Sequence, residues 1–458
     1  MKHIKTYKNW YRFLANSVLV LLALMCYIFV WFKYLNVMLD KSYLMKGNFL
    51  VLGVYAIIIT YFISFFGGFK IGVNKKSNVI ISQIIGLLIS NSIYLVVTVM
   101  MAGYMSYIPR LMFYYGSTFL VQAVLVSIVS YLFMTLFYKV FPPYKILNIK
   151  GNHENNLSYK FDSRNDKYNV TGEICYDNDI EAIGRAIDDY DAVLINDVPS
   201  ETRNRILKVC FAKGKRVYIT PKISDIIIRS ADTLAIFDTP LLLANNSTLS
   251  ITERIVKRAF DIFLSAFGLI ILSPLMVFVS LAIFIYDRGP VFYRQTRYTK
   301  NGKTFKILKF RSMIPDAEKD GIARLASEKD ERITPVGKVI RAIRLDELPQ
   351  FFNILKGDMS FVGPRPERPE IADEYTKEMP EFAFRLKVKA GLTGYAQIFG
   401  KYNTTSYDKL KLDMIYVENC SLLMDLKLLL LTLKVIFIKE STEGLEKGQI
   451  TASNNSKI

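Results

Sequence analysis

Four long apolar runs dominate the first third of the chain, and each is close to the ~20 residues that a helix needs to cross a bilayer. They predict a membrane α-helical bundle within residues 1–142. None of the runs has a charged residue in its interior, as ion or solute transport usually requires, so the bundle is predicted to be an anchor. The runs cover Leu14–Phe32, Phe49–Phe66, Val79–Met101 and Thr118–Val140.

The basic residues beside these runs predict their orientation. Lys2, Lys5, Lys8 and Arg12 precede the first run, and the cytoplasmic ends of membrane helices carry an excess of lysine and arginine. With an even number of crossings, both the N-terminus and everything from residue 141 onward are predicted to be cytoplasmic.

Residues 143–248 alternate short β-branched runs with segments of helical spacing, which predicts a cytosolic Rossmann-like α/β domain. The predicted strands are Lys145–Ile149, Ala192–Ile195 and Arg216–Thr220, and the predicted helices are Ile180–Ile187 and Glu201–Ala212. A nucleotide fingerprint would place Gly-x-Gly-x-x-Gly after the first strand. The chain reads Lys150-Gly151-Asn152-His153-Glu154-Asn155-Asn156 there, which favours a structural or regulatory module over a nucleotide site.

A fifth apolar stretch, Phe260–Tyr286, opens the last region of the chain. Ser273-Pro274 interrupts it near its middle, and basic residues flank both of its ends. A proline removes one backbone donor and bends a helix, while positive charge on both sides favours two cytoplasmic ends. The pattern predicts a re-entrant helix–break–helix hairpin over residues 260–286, with a kinked spanning helix as the alternative.

Composition narrows the chemistry. The 458 residues are 51% hydrophobic with a net charge of +18, which excludes a disordered chain apart from a tail at residues 441–458. The four cysteines form no close pair, and the two histidines lie in a terminal tail and a polar loop. Catalysis must therefore use carboxylates, lysines or arginines. Much of the positive charge flanks membrane runs, so nucleic acid is not predicted as a partner.

Two adjacent carboxylates, Asp346 and Glu347, precede an apolar helical stripe. Pro349 fits only in a first turn, so the helix is predicted to begin near Asp346, with Arg341 and Arg344 just upstream. The helix dipole and these cations are expected to keep both carboxylates ionised. Such a pair can attack phosphorus, bind a divalent metal, or both, while helix capping is the simpler interpretation of the local sequence.

Cationic segments accompany the carboxylate pair. On a strand, Lys309 and Arg311 would point the same way, and Arg365 is framed by Pro364 and Pro366. A second cationic loop begins at Arg385. Many cations, a carboxylate pair and a nearby membrane suit phosphoryl transfer between an anionic soluble donor and an anionic lipid.

From about Lys257 to Ile438 the chain resembles the bacterial sugar transferases, the polyprenyl-phosphate phosphoglycosyl transferases with a monotopic core. With its bundle and α/β domain, the whole chain looks like the large members that start capsule, exopolysaccharide or O-antigen synthesis. The resemblance is carried by Lys257-Arg258-Ala259-Phe260-Asp261, Ser273-Pro274, Gly289-Pro290-Val291-Phe292-Tyr293-Arg294-Gln295, Lys309-Phe310-Arg311-Ser312-Met313, Leu345-Asp346-Glu347-Leu348-Pro349-Gln350, Gly363-Pro364-Arg365-Pro366 and Gly391-Leu392-Thr393-Gly394.

The resemblance implies a catalytic α/β-type domain at residues 249–440, on the cytoplasmic face of a bacterial cell membrane. The implied reaction transfers a hexose-1-phosphate from a UDP-sugar to undecaprenyl phosphate and releases UMP. Glucose is the first expectation for the sugar and galactose the second. Asp346 falls on the family's nucleophile, and Glu347 falls on the residue that helps to hold Mg²⁺, or Mn²⁺ in its place.

The resemblance also assigns substrate contacts. Lys309, Arg311 and Arg365 fall on the cations expected to bind the donor phosphates, and we include Arg344 and Arg385 among the expected substrate-binding residues. Asp413 lies near the family's C-terminal acidic position. Ser273 and Pro274 are expected to shape the hairpin. Asn419-Cys420-Ser421 departs from the family's Asn-Trp-Ser, which bears on packing at the membrane interface rather than on chemistry.

Two other functions stay open at this point. A membrane transporter or flippase for lipid-linked sugars would place polar residues within its spans. The spans of this chain are expected to lack polar residues. A membrane-anchored sugar-nucleotide dehydratase or epimerase would need an intact glycine-rich fingerprint. The sequence also leaves a homo-oligomer open.

Overall fold

The computed structural model describes residues 2–39, 43, 45–151, 157–244, 249–314, 330, 332–400 and 404–436. The predicted disordered tail at 441–458, and the loop 152–156 that follows the first strand, lie outside the described residues. The chain divides into two compact units, Met1–Thr220 and Pro221–Ile458. Each unit is described by itself below.

The N-terminal unit begins with four long helices, α1 (Lys2–Val30), α2 (Met45–Phe66), α3 (Lys76–Ala102) and α4 (Ile108–Val140). A π-helical turn, Trp31–Leu35, extends α1. All four are long and apolar enough to cross a membrane. The predicted runs are thus confirmed as helices, and the chain is a membrane protein.

The interior of this bundle is more polar than the sequence analysis expected. The Tyr55 hydroxyl donates to Asn91 Oδ1 (3.2 Å), Asn91 Nδ2 donates to Gln122 Oε1 (2.8 Å), and Gln122 Nε2 donates to the Ala23 carbonyl (2.7 Å). The expectation that the spans lack polar residues is wrong. These buried groups are uncharged and bind one another, and such bonds hold membrane helices together, so they fit an anchor.

The rest of the N-terminal unit is an α/β layer. In chain order it contains β1 (Tyr144–Lys150), α5 (Leu157–Asp162), β2 (Tyr168–Cys175), α6 (Ile180–Asp188), β3 (Ala192–Asn196), α7 (Ser200–Ala212) and β4 (Arg216–Ile219). The strands form one parallel sheet in the order β2-β1-β3-β4. The predicted parallel α/β unit is confirmed. The sequence analysis did not include β2, an edge strand that alternates half-buried with exposed positions.

The C-terminal unit is α/β with short strands. It contains α8 (Ile223–Arg229), β5 (Asp232–Ile236), β6 (Thr239–Leu243), α9 (Ile251–Asp287), β7 (Phe292–Tyr298), β8 (Thr304–Phe310), α10 (Pro335–Ala342), α11 (Gln350–Lys356), β9 (Ser360–Val362), α12 (Pro369–Glu378), β10 (Gly391–Thr393), α13 (Tyr395–Phe399), α14 (Ser406–Glu418) and α15 (Leu422–Ile436). The pairs β5–β6 and β7–β8 are antiparallel, and β9–β10 is parallel. Its main core includes Ile354, Met359, Val362, Tyr416 and Leu428.

Helix α8 belongs to this C-terminal unit, although its residues were predicted to belong to the α/β domain at 143–248. Ile226 of α8 is 5% exposed and shares a core cluster with Leu410 and Met414 of α14. The structural boundary at residue 220 therefore lies well before the predicted start of the catalytic part at 249.

Helix α9 is continuous where the sequence predicted a break. Pro274 lies inside it, and the Ser273 hydroxyl donates to the Ile270 carbonyl (2.8 Å). Pro274 removes one backbone donor, but the residues on both sides of it are helical. Both ends of α9 nevertheless bind the same unit, because Lys257 pairs with Asp425 of α15 and Asp287 pairs with Arg311.

We expect both ends of α9 to lie on the same side of the membrane. Single cysteines near residues 255 and 300 should then both be protected from an impermeant thiol reagent in intact cells. The reason is that one folded unit binds both helix ends, and the polar unit cannot lie on both faces of a bilayer. A cysteine in the connection between α1 and α2 is the positive control for labelling. Labelling at 300 but not at 255 would show a true crossing.

Candidate active site

Two cations converge on one carboxylate oxygen in the C-terminal unit. Lys309 Nζ, near the end of β8, lies 3.0 Å from Glu347 Oε1, and Arg365 Nη2 lies 3.0 Å from the same oxygen. The Glu347 side chain is 12% exposed, whereas that of Arg365 is 40% exposed. Lys309 and Arg365 lie 38 and 18 positions from Glu347 along the chain. The three residues thus form one cluster, in which the arginine is accessible to solvent.

The local backbone places the carboxylate pair in a tight turn. Arg344 has a left-handed conformation (φ 57°), and Leu345–Glu347 forms a 3-10 turn. The α-helix proper, α11, begins only at Gln350, with Pro349 before it. The helix was predicted to begin near Asp346, so Asp346 and Glu347 precede the α-helix instead of forming its first turn.

The two carboxyl groups have different proton affinities. Burial raises the pKa of Asp346 above its ordinary value, and the charge of Glu347 adds to this effect. Burial by itself would also raise the pKa of Glu347, but Lys309 and Arg365 outweigh it and hold that pKa well below its usual range. The expectation that both groups are held ionised fits Glu347, whereas the pKa of Asp346 moves the other way. Divergent pKa values in a carboxylate pair are typical of active sites.

Arg344 and Arg341 affect the pair through their charge. Arg344 lowers the pKa of Glu347, and Arg341 opposes the rise in the pKa of Asp346. Arg344 therefore lies at the predicted site, and its contact with substrate stays a prediction.

Arg311 lies apart from this cluster. It follows the last residue of β8, its amide donates to the Val291 carbonyl (2.9 Å), and its guanidinium pairs with Asp287 at the end of α9. The alternation that would have aligned it with Lys309 ends with the strand at Phe310. In this structure Arg311 holds the end of α9, and its predicted role in donor binding stays a prediction.

A second ionic cluster supports the loop that carries Arg365. Arg385 Nη2 donates to Asp413 Oδ2 (2.6 Å) and to the Arg365 carbonyl (2.9 Å), and Arg385 Nη1 lies 3.5 Å from Glu367 Oε1. Arg385 and Asp413 are 3% and 1% exposed. Both residues were predicted to bind substrate, and here they bind each other.

Glu367 and Lys409 were not predicted as site residues, and they complete this cluster. Lys409 pairs with Glu367. Burial by itself would raise the pKa of Glu367, but Lys409 and Arg385 outweigh it and lower that pKa to about 2. In the sequence, the only indication that Glu367 lies near the site was its position two residues after Arg365.

The motif residues at the start of α9 are structural. Asp261 Oδ1 accepts hydrogen bonds from the Ser360 hydroxyl (3.0 Å) and the Phe361 amide (3.1 Å). Lys257 pairs with Asp425, which also accepts from the Tyr416 hydroxyl (2.7 Å). Asp425 lies on α15 and is only 2% exposed, because Lys257 and Tyr416 partner it in the core.

The carboxylate pair supplies oxygen ligands of the kind that a divalent cation prefers. Mg²⁺ is commonly bound by one or two carboxylates together with phosphate oxygens, and Asp346 and Glu347 supply that donor set. In the part of the chain that the structure describes, no group of three or more His, Cys, Asp or Glu residues is suited to hold a metal alone. Two carboxylates would leave most of the coordination of such a cation to other ligands.

Comparison with known proteins gives the class. A family model described as bacterial sugar transferase matches residues 252–439. The UDP-N-acetylgalactosamine-undecaprenyl-phosphate N-acetylgalactosaminephosphotransferase of Aeromonas hydrophila is 41% identical over 184 residues, which are 40% of this chain and 43% of that protein. The UDP-glucose:undecaprenyl-phosphate glucose-1-phosphate transferase of Escherichia coli (strain K12) is 38% identical over 207 residues, 44% of each chain.

A shorter relative is covered more fully. A Bacillus subtilis (strain 168) protein, provisionally named an undecaprenyl-phosphate N-acetylgalactosaminyl 1-phosphate transferase, is 48% identical over 131 residues, which are 29% of this chain and 73% of that protein. The chain belongs to the bacterial sugar transferase family. Its matched part spans less than half the length of the Aeromonas and Escherichia proteins.

Proposed function

We propose that this protein transfers a hexose-1-phosphate from a UDP-sugar to undecaprenyl phosphate and releases UMP. The observation that carries the proposal is the convergence of Lys309 and Arg365 on Glu347, beside the half-buried Asp346. The names of the related transferases support both substrates. The proposed setting is the cytoplasmic face of a bacterial membrane, as the first membrane step of capsule or exopolysaccharide synthesis.

The proposed chemistry is a double displacement at one phosphorus. A carboxylate oxygen of Asp346 attacks the β-phosphorus of the donor, and the bond from that phosphorus to the bridging oxygen breaks, so UMP leaves with that oxygen. The sugar-1-phosphate is then held on Asp346 as an acyl phosphate. An oxygen of the lipid phosphate attacks the same phosphorus next, and the bond to Asp346 breaks.

The cations of the site stabilise the charge that develops in both steps. Lys309 and Arg365 lie on Glu347 in this structure, and Arg365 is exposed enough to reach a donor phosphate. Glu347 stays ionised because these cations lower its pKa. When bound by Asp346 and Glu347, Mg²⁺ would neutralise part of the diphosphate charge.

A panel of UDP-sugars tests the proposal. Purified full-length protein with undecaprenyl phosphate and Mg²⁺ should release UMP and form a radiolabelled lipid from at least one of UDP-glucose, UDP-galactose and UDP-N-acetylgalactosamine. Glucose is our first expectation, although the relatives' names include N-acetylgalactosamine. EDTA should stop the reaction, and excess Mg²⁺ should restore it. No lipid product with any of the three sugars would contradict the proposal.

The C-terminal unit should carry out this chemistry without the first 220 residues. A chain beginning at Pro221 keeps every site residue and keeps α8, whose Ile226 packs against α14. It should bind membranes and release UMP. A chain beginning near Ser250 should also be active but less stable, because it loses the buried Ile226 side chain, worth roughly 2–4 kcal/mol. A folded, membrane-bound but inactive Pro221 chain would give the N-terminal unit a part in catalysis.

A further inference from the structure

A cavity of about 210 Å³ lies beside the carboxylate site. Its walls come from the end of β7, the loop that carries Arg365, helix α12 and the 3-10 segment Pro380–Lys387. Apolar and aromatic side chains line most of it, among them Tyr298, Ala372, Phe382, Leu386 and Val388. Nothing in the proposed displacement at phosphorus uses this space.

The cavity shares a wall with the catalytic cluster. Arg365 and Pro366 line it, and the same two residues line a smaller space of about 20 Å³ whose other walls include Lys309 and Glu347. The cavity and the smaller space beside Glu347 therefore adjoin at Arg365 and Pro366. A diphosphate lying on Arg365 would have one end at the carboxylates and the other at the cavity.

One buried donor on the lining has no partner. Arg385 lines the cavity and is 3% exposed. Its Nη atoms contact Asp413, Glu367 and the Arg365 carbonyl, whereas its Nε has no hydrogen-bond partner among the described residues. This Nε has almost no accessible surface, so Arg385 borders the cavity as a positive charge and not as a free donor.

The position of the cavity favours a soluble ligand over a lipid tail. No lining residue belongs to α9 or α15, the helices of this unit that expose apolar side chains such as Phe263, Phe278 and Leu423. A polyprenyl chain would need a route along those helices. The polar groups at the cavity, Asp373 and Thr376 on α12 together with Arg385, suit an aromatic base and a ribose that carry both donors and acceptors.

We infer that this cavity binds the nucleoside end of the sugar-nucleotide donor, so that Arg365 lies between the nucleoside and the reacting phosphorus. The inference rests on the proposed function and adds the place where the leaving nucleotide is recognised. It also gives Tyr298, Phe382 and Arg385 a role in donor selection that is separate from the chemistry at Asp346.

Narrowing the cavity tests the inference in the full-length protein. Ala383 is exposed and lines the cavity, so Ala383→Trp should fill it without disturbing the core. We expect this variant to bind UMP at least about tenfold more weakly and to raise KM for the UDP-sugar rather than to lower kcat. Inhibition by inorganic pyrophosphate, which lacks a nucleoside, should not change. Ala235→Trp, in the exposed strand β5, is the matched control.

Photolabelling gives an answer that does not depend on a variant. Wild-type protein irradiated with 5-azido-UMP should carry the label in the peptides around Tyr298–Gly302 or Ala372–Ala390. Label elsewhere, or unchanged UMP binding by a folded Ala383→Trp protein, would overturn the inference. Wild-type turnover of a UDP-sugar together with either result would leave the proposed function intact, whereas no turnover with any UDP-sugar counts against the proposed function itself.

Discussion

Asp346→Asn abolishes UMP release, with an expected loss of at least about a thousandfold, since removal of a covalent nucleophile leaves only binding and electrostatic effects. Asparagine is nearly isosteric with aspartate but has no anionic oxygen to attack phosphorus. The protein should still fold, because burial already raises the pKa of Asp346 and a neutral amide suits that environment. Turnover is measured as UMP release with undecaprenyl phosphate and the preferred UDP-sugar.

A trapping experiment sharpens this prediction. Without the lipid acceptor, wild-type protein should retain radiolabel from a sugar-labelled donor, and the Asp346→Asn protein should retain none. Asp232→Asn, in the exposed strand β5, is the control for the same chemical change at a distant site. Near-normal UMP release by Asp346→Asn would refute the covalent assignment, and retained label in that variant would move the nucleophile to another residue.

Arg385→Met should cost the C-terminal unit about 3–5 kcal/mol of stability, the usual loss when one partner of a buried ion pair is removed. The change leaves the carboxylates of Asp413 and Glu367 without this guanidinium, and Asp413 is 1% exposed. Both tryptophans, Trp10 and Trp31, lie in the N-terminal unit, so their fluorescence does not report on this change. Pulse proteolysis in urea, followed on a gel, measures it instead.

The matched control is an ion pair in the same unit whose cation is exposed. Lys356 is 77% exposed and lies 3.8 Å from Asp358, so Lys356→Met should change stability by less than ~0.5 kcal/mol. Adding Asp413→Leu to Arg385→Met should recover part of the loss, because it removes an unpaired buried charge. Stability of Arg385→Met within about 1 kcal/mol of wild type would show that the cluster is not the support inferred here.

The sequence alone determined the elements that rest on local pattern. The four apolar runs are helices, and three strands and two helices of the α/β layer lie within one or two residues of their predicted bounds. Hydrophobic periodicity is a property of neighbouring residues, so it survives in any tertiary arrangement. The adjacency of Asp346 and Glu347, and the prolines around Arg365, were likewise readable because each motif is contiguous.

Tertiary structure decided which charged groups share a partner. Lys309 and Arg365 meet on Glu347, Arg311 turns to Asp287, and Arg385 binds Asp413. Every one of these pairs joins residues 18 to 38 positions apart. Such pairings depend on chain reversals, which local periodicity does not specify.

The polar interior of the bundle and the buried Asp425 have the same physical origin. A tyrosine, glutamine or aspartate can lie in a core when another helix supplies its hydrogen-bond partner. Gln122 finds Asn91, Tyr55 and the Ala23 carbonyl, and Asp425 finds Lys257 and Tyr416. The sequence determined which side chains are able to form hydrogen bonds or ion pairs. The packing of helices that are distant in the chain determined which of these bonds form.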